Sequence, residues 1–484
     1  MKAIILELMA CMALTACAVQ PASHSTLPDT VQQLAVRDWS VTAPPSSATP
    51  ASSRDAATDA TPETDAQNWW LQFNDPVMLQ LVTNVLQQNL DVKAAAERVR
   101  QAEAVSVIQH AALLPELNFG ATAADARQNI PPPVGDVRQA GFALNANWTP
   151  DVFGGQRLQV LAAQAQLGGR EQALNTLRLA LAANAASAYI DLRWAQAELK
   201  ILQDNAKIRS DALRLTQKRR EFGLSTNLDV ARAQNQLSEL QARVPGVQSI
   251  IEHQLSLIAI YAGRTPESVD QLLATPGVIP APAATLPGML PSQALLRRPD
   301  VSEAYTVVEL RAAQVGVAQA ERYPQFSLNL SDGLLAASYL GLPTLTDNLF
   351  NVALNATSPI FNAGRITADI AGRESAMRES QLKLRQTLLL ALKDIEDSRS
   401  DLLSASAQLQ QRNDALDASG QALRLSNELY KGGASSFLDV LAAQESYLSD
   451  ADAVNQAQRE QALFAVNVYR ALGGGSDAAD AAPT

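Results

Sequence analysis

The chain has 484 residues, long enough for a large core, and carries a formal net charge of −11. That balance argues against nonspecific nucleic-acid binding, which needs basic surface, so no nucleic-acid partner is expected. Aromatic residues make up only 5% of the chain, and beyond the N-terminus no apolar run reaches the ~20 residues of a membrane-crossing helix.

Residues 1–16 read as a short lipoprotein signal peptide. Met1-Lys2 precedes a mostly apolar run from Ala3 to Ala13, interrupted by Glu7, and then Leu14-Thr15-Ala16-Cys17. Small residues suit a signal peptidase, and a thiol is the group that accepts diacylglycerol, so Cys17 is the candidate lipidation site. The competing reading is an ordinary cleaved signal with a chance cysteine. Cys11 would leave with the signal, so no disulfide is expected in the mature chain. Ala18, in place of an aspartate, is compatible with sorting to the outer membrane. Residues 41–66, rich in Pro, Ser, Ala, Thr and Asp, cannot bury enough apolar surface to fold alone. Residues 17–67 are therefore expected to form an acylated N-terminus and flexible tether, with the folded body starting near Trp69-Trp70.

The first strand signals come next. Leu117, Phe119 and Ala121 alternate with Asn118, Gly120 and Thr122; Phe142, Leu144, Ala146 and Trp148 alternate with Ala143, Asn145, Asn147 and Thr149. Alternation at period two predicts strands with one apolar and one small, mostly polar face. A soluble hairpin packed on a core and a membrane barrel with a wet interior both fit this pattern. Pro115 ends a helix before the first strand, and Pro150 closes the second.

From Leu158 to Glu221 there is no proline, and Ala185, Leu192, Leu199, Ala206 and Leu213 recur every seventh residue. Leu181, Ala188, Ala195 and Leu202 fill the alternate seam. A sustained heptad predicts a helix supercoiled on its neighbours, and at ~1.5 Å per residue it would span about 95 Å. Gly223 suits the left-handed position after a helix, and Ser225 or Thr226 can cap the next one. The result is a helical hairpin with a tight tip, returning over about Leu228–Tyr261, with Pro245 expected to bend the return.

The chain then repeats itself. The tip Gly223 to Val230 returns as Gly433 to Val440, with Asp229 matched by Asp439 at an offset of 210 residues. Pro115 recurs as Pro324, Pro150 as Pro359, and Arg157 as Arg365. Strand patterns return at Phe326 to Ser331 and Phe350 to Thr357. Leu388, Ile395, Leu402, Leu409, Leu416, Leu423 and Tyr430 repeat the heptad, and the second return runs over about Leu438–Leu472. Ser398, Arg412 and Ser419 leave its alternate seam mostly polar, with Ala405 the exception. An offset this long exceeds a solenoid unit of roughly 20–50 residues and marks a duplicated module. The repeats are placed at 68–275 and 276–473, with a disordered tail over 474–484. Four strands cannot close a barrel, which starts near eight, but three chains together would supply about twelve.

The histidines His24, His110 and His253 lack metal-ligand spacing, no Ser-His-Asp set is placeable, and no phosphate-binding glycine loop is present. No catalytic residue, metal or cofactor is therefore expected.

Several segments together resemble the TolC family of outer-membrane factors, most closely its lipoprotein efflux branch. They are the lipobox at Cys17, Trp69-Trp70, Asn89-Leu90-Asp91-Val92, Trp148-Thr149-Pro150-Asp151-Val152-Phe153-Gly154-Gly155, Arg297-Arg298-Pro299-Asp300-Val301, Pro359-Ile360-Phe361, and the two tip motifs. The resemblance covers nearly all of 68–473. It implies a mainly α fold with a membrane β-barrel: a homotrimer with a twelve-stranded barrel on a long periplasmic α-helical barrel. It implies a passive exit duct of a tripartite efflux pump, not an enzyme, whose partners are a periplasmic adaptor, an inner-membrane transporter and outer-membrane lipid. By residue, it places a periplasmic gate at Asp229, Tyr430 and Asp439, with a Tyr430–Asp229 hydrogen bond joining the hairpins. Leu438 is the alternative, closing the pore by dewetting. Adaptor-contact tips fall at Gly223, Leu224, Ser225, Gly433, Ala434 and Ser435. Ala442 stands where some members carry a second ring aspartate. The two aspartates are read equally well as helix caps. A protein-secretion duct and a non-conducting coiled-coil lipoprotein scaffold are the rival functions.

Overall fold

The computed structural model describes residues 18–34, 69–127, 136–268, 273, 275–282, 291–339 and 344–474. The signal peptide, Cys17, the 41–66 segment and residues 475–484 lie outside the described residues. By Cα proximity the chain divides into two compact units, each drawing on both sequence halves.

The first unit comprises Met1–Leu27, Glu97–Gln172 and Ser302–Gln386. It holds four antiparallel strands in the order β1 (Glu116–Arg127), β2 (Asp136–Trp148), β3 (Gln325–Tyr339) and β4 (Leu345–Thr357). The strands run further than their alternation marks them, because the added residues pair by register rather than by side-chain contrast. Phe119 lies opposite Leu144, Leu144 opposite Asp332, and Asp332 opposite Phe350. Directly paired residues share a face, so Leu117, Phe119, Phe142, Leu144, Val352 and Leu354 line one side, with Asp332 and Asn348 among its polar members. Asn118, Asn145, Asn329, Ser331 and Asn351 line the other. The apolar side chains are exposed, at 70% for Phe119 and 69% for Leu354, and Asn118 and Asn351 of the other face are exposed as well. A soluble hairpin would bury them on a core; this sheet leaves them uncovered. Among the described residues β1 and β4 each have one neighbour, so both edges are open. Gly333 permits the close approach of β2 and β3: a Cβ there would sit 2.3 Å from the Phe142 carbonyl oxygen.

The start of the expected tether belongs to this unit. Val19 N donates to Phe153 O (2.9 Å), Ala22 N donates to Ala312 O (3.2 Å), and the His24 ring lies 5.9 Å from Tyr305. This corrects the tether expectation for residues 18–27, whose backbone donors find carbonyl partners on the body. The polar composition that argues for a free segment belongs to 41–66 alone. Leu27–Gln32 then forms a short helix, α1.

The second unit comprises Pro28–Ala96, Ala173–Val301 and Thr387–Thr484. Its largest core gathers Trp69, Trp70 and Phe73 with Met78 and Val82 of α2 (Pro76–Gln88). The Trp69 ring stacks on Tyr469 at 5.7 Å. Asp75 caps α2 by accepting from Val77 N and Met78 N, and also accepts from the Tyr189 hydroxyl at 2.8 Å.

The remaining helices are α3 (Leu90–Ala111), α4 (Gly155–Glu221), α5 (Asn227–Tyr261), α6 (Pro291–Arg297), α7 (Pro299–Ala320), α8 (Arg365–Lys431) and α9 (Phe437–Ala471). The duplication is visible in their lengths: α4 and α8 have 67 residues each, α5 and α9 have 35 each. It is also visible in contacts. Asn89 Nδ2 donates to Tyr261 O at the end of α5, and Arg298 Nη1 donates to Ala471 O at the end of α9, both at 2.9 Å. Each repeat thus ties the start of one helix to the carbonyl end of its hairpin, where helix carbonyls lack intrahelical partners. The heptad seams are buried or half-buried, with Leu192, Leu202, Leu388 and Ile395 fully enclosed. The polar alternate position Arg412 is exposed, and α5 continues as helix through Pro245.

Candidate gate at the hairpin tips

Both tips are built by the same local chemistry. At the end of α4, Leu224 N donates to Arg219 O (2.8 Å) and Gly223 N to Arg220 O (2.9 Å); at the end of α8, Ala434 N donates to Leu429 O (2.9 Å) and Gly433 N to Tyr430 O (3.1 Å). This double bond pattern is the Schellman closure, and it needs a left-handed residue: Gly223 has φ +70 and Gly433 φ +76. Nothing lies within 4 Å of a Cβ at either glycine, so backbone conformation, not space, selects them. Thr226 and Ser436 then open α5 and α9 as capping boxes with Asp229 and Asp439.

The aspartates are therefore engaged as caps. Asp229 Oδ2 accepts from Thr226 N (3.0 Å), Thr226 Oγ1 (2.8 Å) and Ser225 Oγ (3.1 Å). Asp439 Oδ2 accepts from Ser435 Oγ (2.7 Å), Ser436 Oγ (2.9 Å) and Ser436 N (3.0 Å). The Thr226 backbone bond holds the Asp229 carboxyl below the ordinary aspartate range, and the Ser435 hydroxyl does the same for Asp439. Both carboxylates stay ionised at neutral pH, and Asp439 is exposed.

The expected Tyr430–Asp229 bond is not formed. Tyr430 is 5% exposed, and its hydroxyl is buried with no hydrogen-bond partner among the described residues. Its ring packs beside Phe437 at 5.5 Å, in a cluster with Leu213, Leu237 and Val440. The Asp229 carboxylate is oriented by its own cap, with Oδ2 bonded to Ser225 and Thr226. The side chain that joins the hairpins at this level is Arg219 of α4. Its guanidinium lies over the Tyr430 ring at 4.6 Å and donates to Tyr430 O at 2.8 Å. It thereby caps the carbonyl end of α8, where positive charge is favoured. Sequence reasoning missed Arg219 and the anchor Phe437. The signal for Arg219 was the basic run Lys218-Arg219-Arg220 in the last turn of α4.

Further clamps join the two hairpins away from the tips. Arg209 of α4 donates to Gln236 O of α5 and to Glu445 of α9, both at 2.8 Å. Arg243 of α5 bridges Glu198 of α4 (3.0 Å) and Asp452 of α9 (2.8 Å). Asn455 donates to the other Glu198 oxygen at 3.1 Å, and Arg459 pairs with Asp191 at 2.6 Å. Burial pushes the Glu198 carboxyl up, and the neighbouring Asp452 adds to it, outweighing the pull of Arg243.

The remaining site residues fall at the surface. Leu438 is 53% exposed and lines a groove with Arg209, Arg243 and Glu445. Gly223, Leu224, Gly433 and Ala434 are exposed, Ser225 and Ser435 half-exposed. The first tip also shows Phe222 at 79%, where the second has Gly432, while Leu228 at 56% is matched by Leu438.

Among the described residues no group of three or more His, Cys, Asp or Glu is placed to hold a metal ion, and no helix is long and apolar enough to cross a membrane.

Comparison with known proteins matches residues 81–261 and 290–474 to the family described as outer membrane efflux protein. The pyoverdine export outer membrane protein OpmQ of Pseudomonas aeruginosa is 29% identical over 446 residues, covering 88% of this chain and 91% of that protein. Nodulation protein T of Rhizobium leguminosarum is 27% identical over 444 residues, covering 90% and 93%. Among solved structures, the outer-membrane channel OprN superposes with a TM-score of 0.78 at 30% identity, covering 85% of this chain and 93% of that one. The outer membrane protein VceC of Vibrio cholerae gives 0.76 at 26% identity, covering 85% and 99%.

Proposed function

Because the chain belongs to the outer membrane efflux protein family, it is an outer-membrane exit channel with a large periplasmic helical part, and we infer that three copies share one twelve-stranded barrel. The observation that carries this reading is the four-stranded sheet with its apolar face uncovered and both edges open. Unpaired edge groups are costly in lipid, and three such sheets joined edge to edge leave none. The small, polar inner face then lines the water-filled duct. The chain conducts passively. A periplasmic adaptor and an inner-membrane transporter, of the resistance-nodulation-division type, supply the energy.

The hairpin tips form the periplasmic gate. Asp439 contributes an acidic ring that attracts divalent cations, Leu438 an apolar constriction beside it, and Tyr430 the anchor on which Arg219 clamps the hairpins; Asp229 holds the first tip's cap. The adaptor meets Gly223, Leu224 and Ser225 on the first tip and Gly433, Ala434 and Ser435 on the second, with Phe222 and Leu228 adding apolar contact. Residues 1–16 are the signal and Cys17 carries the lipid. Val19, two residues on, is bonded to Phe153 at the foot of the sheet, which supports an acyl chain entering the membrane there. Residues 68–275 and 276–473 are the two repeats.

Light scattering of the detergent-solubilised chain, corrected for detergent, tests the shared barrel. A trimer mass is expected, and a stable folded monomer refutes it. Mass spectrometry of the mature N-terminus tests Cys17, where an unmodified thiol would remove the lipoprotein assignment.

A further inference from the structure

Two large apolar side chains stand almost wholly in the open in the turn from β4 to α8: Ile360 is 93% exposed and Phe361 88%. The internal repeat shows what such a turn does elsewhere. Phe361 corresponds to Phe153, 208 residues earlier, by the same offset that relates Arg365 to Arg157. Phe153 sits in the turn from β2 to α4, and it is covered. Its ring stacks on Tyr323 at 4.8 Å with an interplanar angle of 18°, and lies 6.4 Å from Phe326. That contact exists because β2 and β3 are neighbours in the sheet, which brings the turn leaving β2 against the turn entering β3.

The turn entering β1 is the counterpart of the turn entering β3. Tyr323-Pro324-Gln325-Phe326 corresponds to Leu114-Pro115-Glu116-Leu117, 209 residues earlier. Leu114 is 63% exposed and Leu117 64%. Within one chain β4 and β1 lie at opposite edges of the sheet, so Phe361 cannot reach Leu114 of its own chain. Both halves of a known contact are thus present, exposed, and placed at complementary edges.

We propose that Ile360 and Phe361 form a knob that packs on Leu114 and Leu117 of a second copy of this chain, repeating between copies the Phe153–Tyr323 stack seen within one. The proposal rests on the shared-barrel reading and adds its register. In the sheet Trp148 lies opposite Leu328. Carrying that pair over by the two offsets puts Ala356 opposite Phe119 of the next copy, and Leu354 opposite Ala121 of that copy. Both pairs keep apolar residues on one face, as a barrel facing lipid requires. The contact is head-to-tail, the kind that closes into a ring when successive rotations complete a turn. The β4–α8 turn then supplies an apolar contact beside each barrel seam, and aromatic packing of this sort adds to simple area burial.

The mature chain offers a clean background for cross-linking, since Cys17 is its one cysteine. The full-length protein carrying Phe361→Cys with Leu114→Cys, extracted in mild detergent and treated with a short bismaleimide, is expected to run as dimers and trimers on denaturing gels. Each single variant is expected to run as a monomer. Phe153→Cys with Tyr323→Cys serves as the control that links within one chain and adds no mass. If the Phe361/Leu114 pair gives no ladder while Ala356→Cys with Phe119→Cys does, the knob is refuted and the shared barrel stands. If neither pair links, both knob and register are refuted, and the light-scattering mass then decides whether the trimer falls with them.

Discussion

Arg219 is the side chain whose removal should move the gate most. It reaches from the first hairpin to the second, and makes two kinds of contact there. Its guanidinium over the Tyr430 ring, at 4.6 Å and half-buried, contributes about 1 kcal/mol. Its charged donor on Tyr430 O, at 2.8 Å, contributes about 1.5 kcal/mol more, with the helix-end charge already counted in that figure. Arg219→Ala thus removes about 2.5 kcal/mol of coupling between the hairpins, which raises the population of separated tips about 60-fold. Arg219→Lys keeps the charge but loses the flat stacking surface, and should fall between the two. Tyr430→Phe is the discriminating control. It keeps the ring under Arg219 and removes a hydroxyl that has no partner, so it should leave the gate unchanged. The assay is single-channel recording in planar bilayers, with mean open time and conductance as readouts. The reasoning fails if Arg219→Ala records like the parent, or if Tyr430→Phe opens the channel as much as Arg219→Ala does.

Other perturbations have equally definite outcomes. Thr226→Ala removes the cap of α5 and should cost about 1 kcal/mol locally, read as faster amide exchange over 227–231 with the rest of the chain unaltered. Asp439→Ala should weaken block by divalent cations while leaving the Arg219 clamp intact; unchanged block would move the cation site away from the second tip. The pH dependence differs between two sites, and its signs follow from which way each carboxyl is shifted. Glu198 is raised in the folded state, so that state holds its proton more tightly; stability falls as pH rises from the ordinary glutamate value through the raised one. Glu198→Gln should flatten that slope in thermal melts. Asp229 and Asp439 are lowered, so the stability of their caps is complete above the ordinary aspartate value and is lost as pH falls through the lowered one. Gly333→Val should disturb the sheet, because its Cβ would meet the Phe142 carbonyl oxygen at 2.3 Å, and heat-modifiable migration on gels would report it.

The parts of the molecule legible in the sequence are those where one residue type has one physical job. Gly223 and Gly433 mark left-handed positions, Thr226 and Ser436 mark caps, and the returning helices begin and end within one residue of where the motifs place them. The heptads locate buried seams because a seven-residue period leaves one stripe facing the neighbour. The strands were legible only over their apolar alternation; where β1 and β3 run on through Ala, Gly and Ser, pairing partners from 8 to 202 residues away decide the conformation. Contacts between the hairpins were not legible, since which of three successive basic residues turns inward depends on the packing of α4 against α8. The Tyr430–Asp229 pairing failed for a related reason. A motif gives each residue a position, but the capping box orients the carboxylate toward Ser225 and Thr226 while the tyrosine ring packs in against Phe437 and Leu213. The N-terminal residues 18–27 carried no pattern at all, and their order comes from carbonyls on Phe153 and Ala312.

The central claim is that this chain forms a water-filled duct through the outer membrane. Purified full-length protein added to one side of a planar lipid bilayer measures that directly, with the parent and Arg219→Ala variant recorded in the same salt. The expected result is discrete conductance steps from both, longer and larger for the variant, with the parent's steps reduced by divalent cations on the periplasmic side. A protein that inserts as a stable trimer yet gives no steps, with its tips clamped or released, would contradict the channel outright.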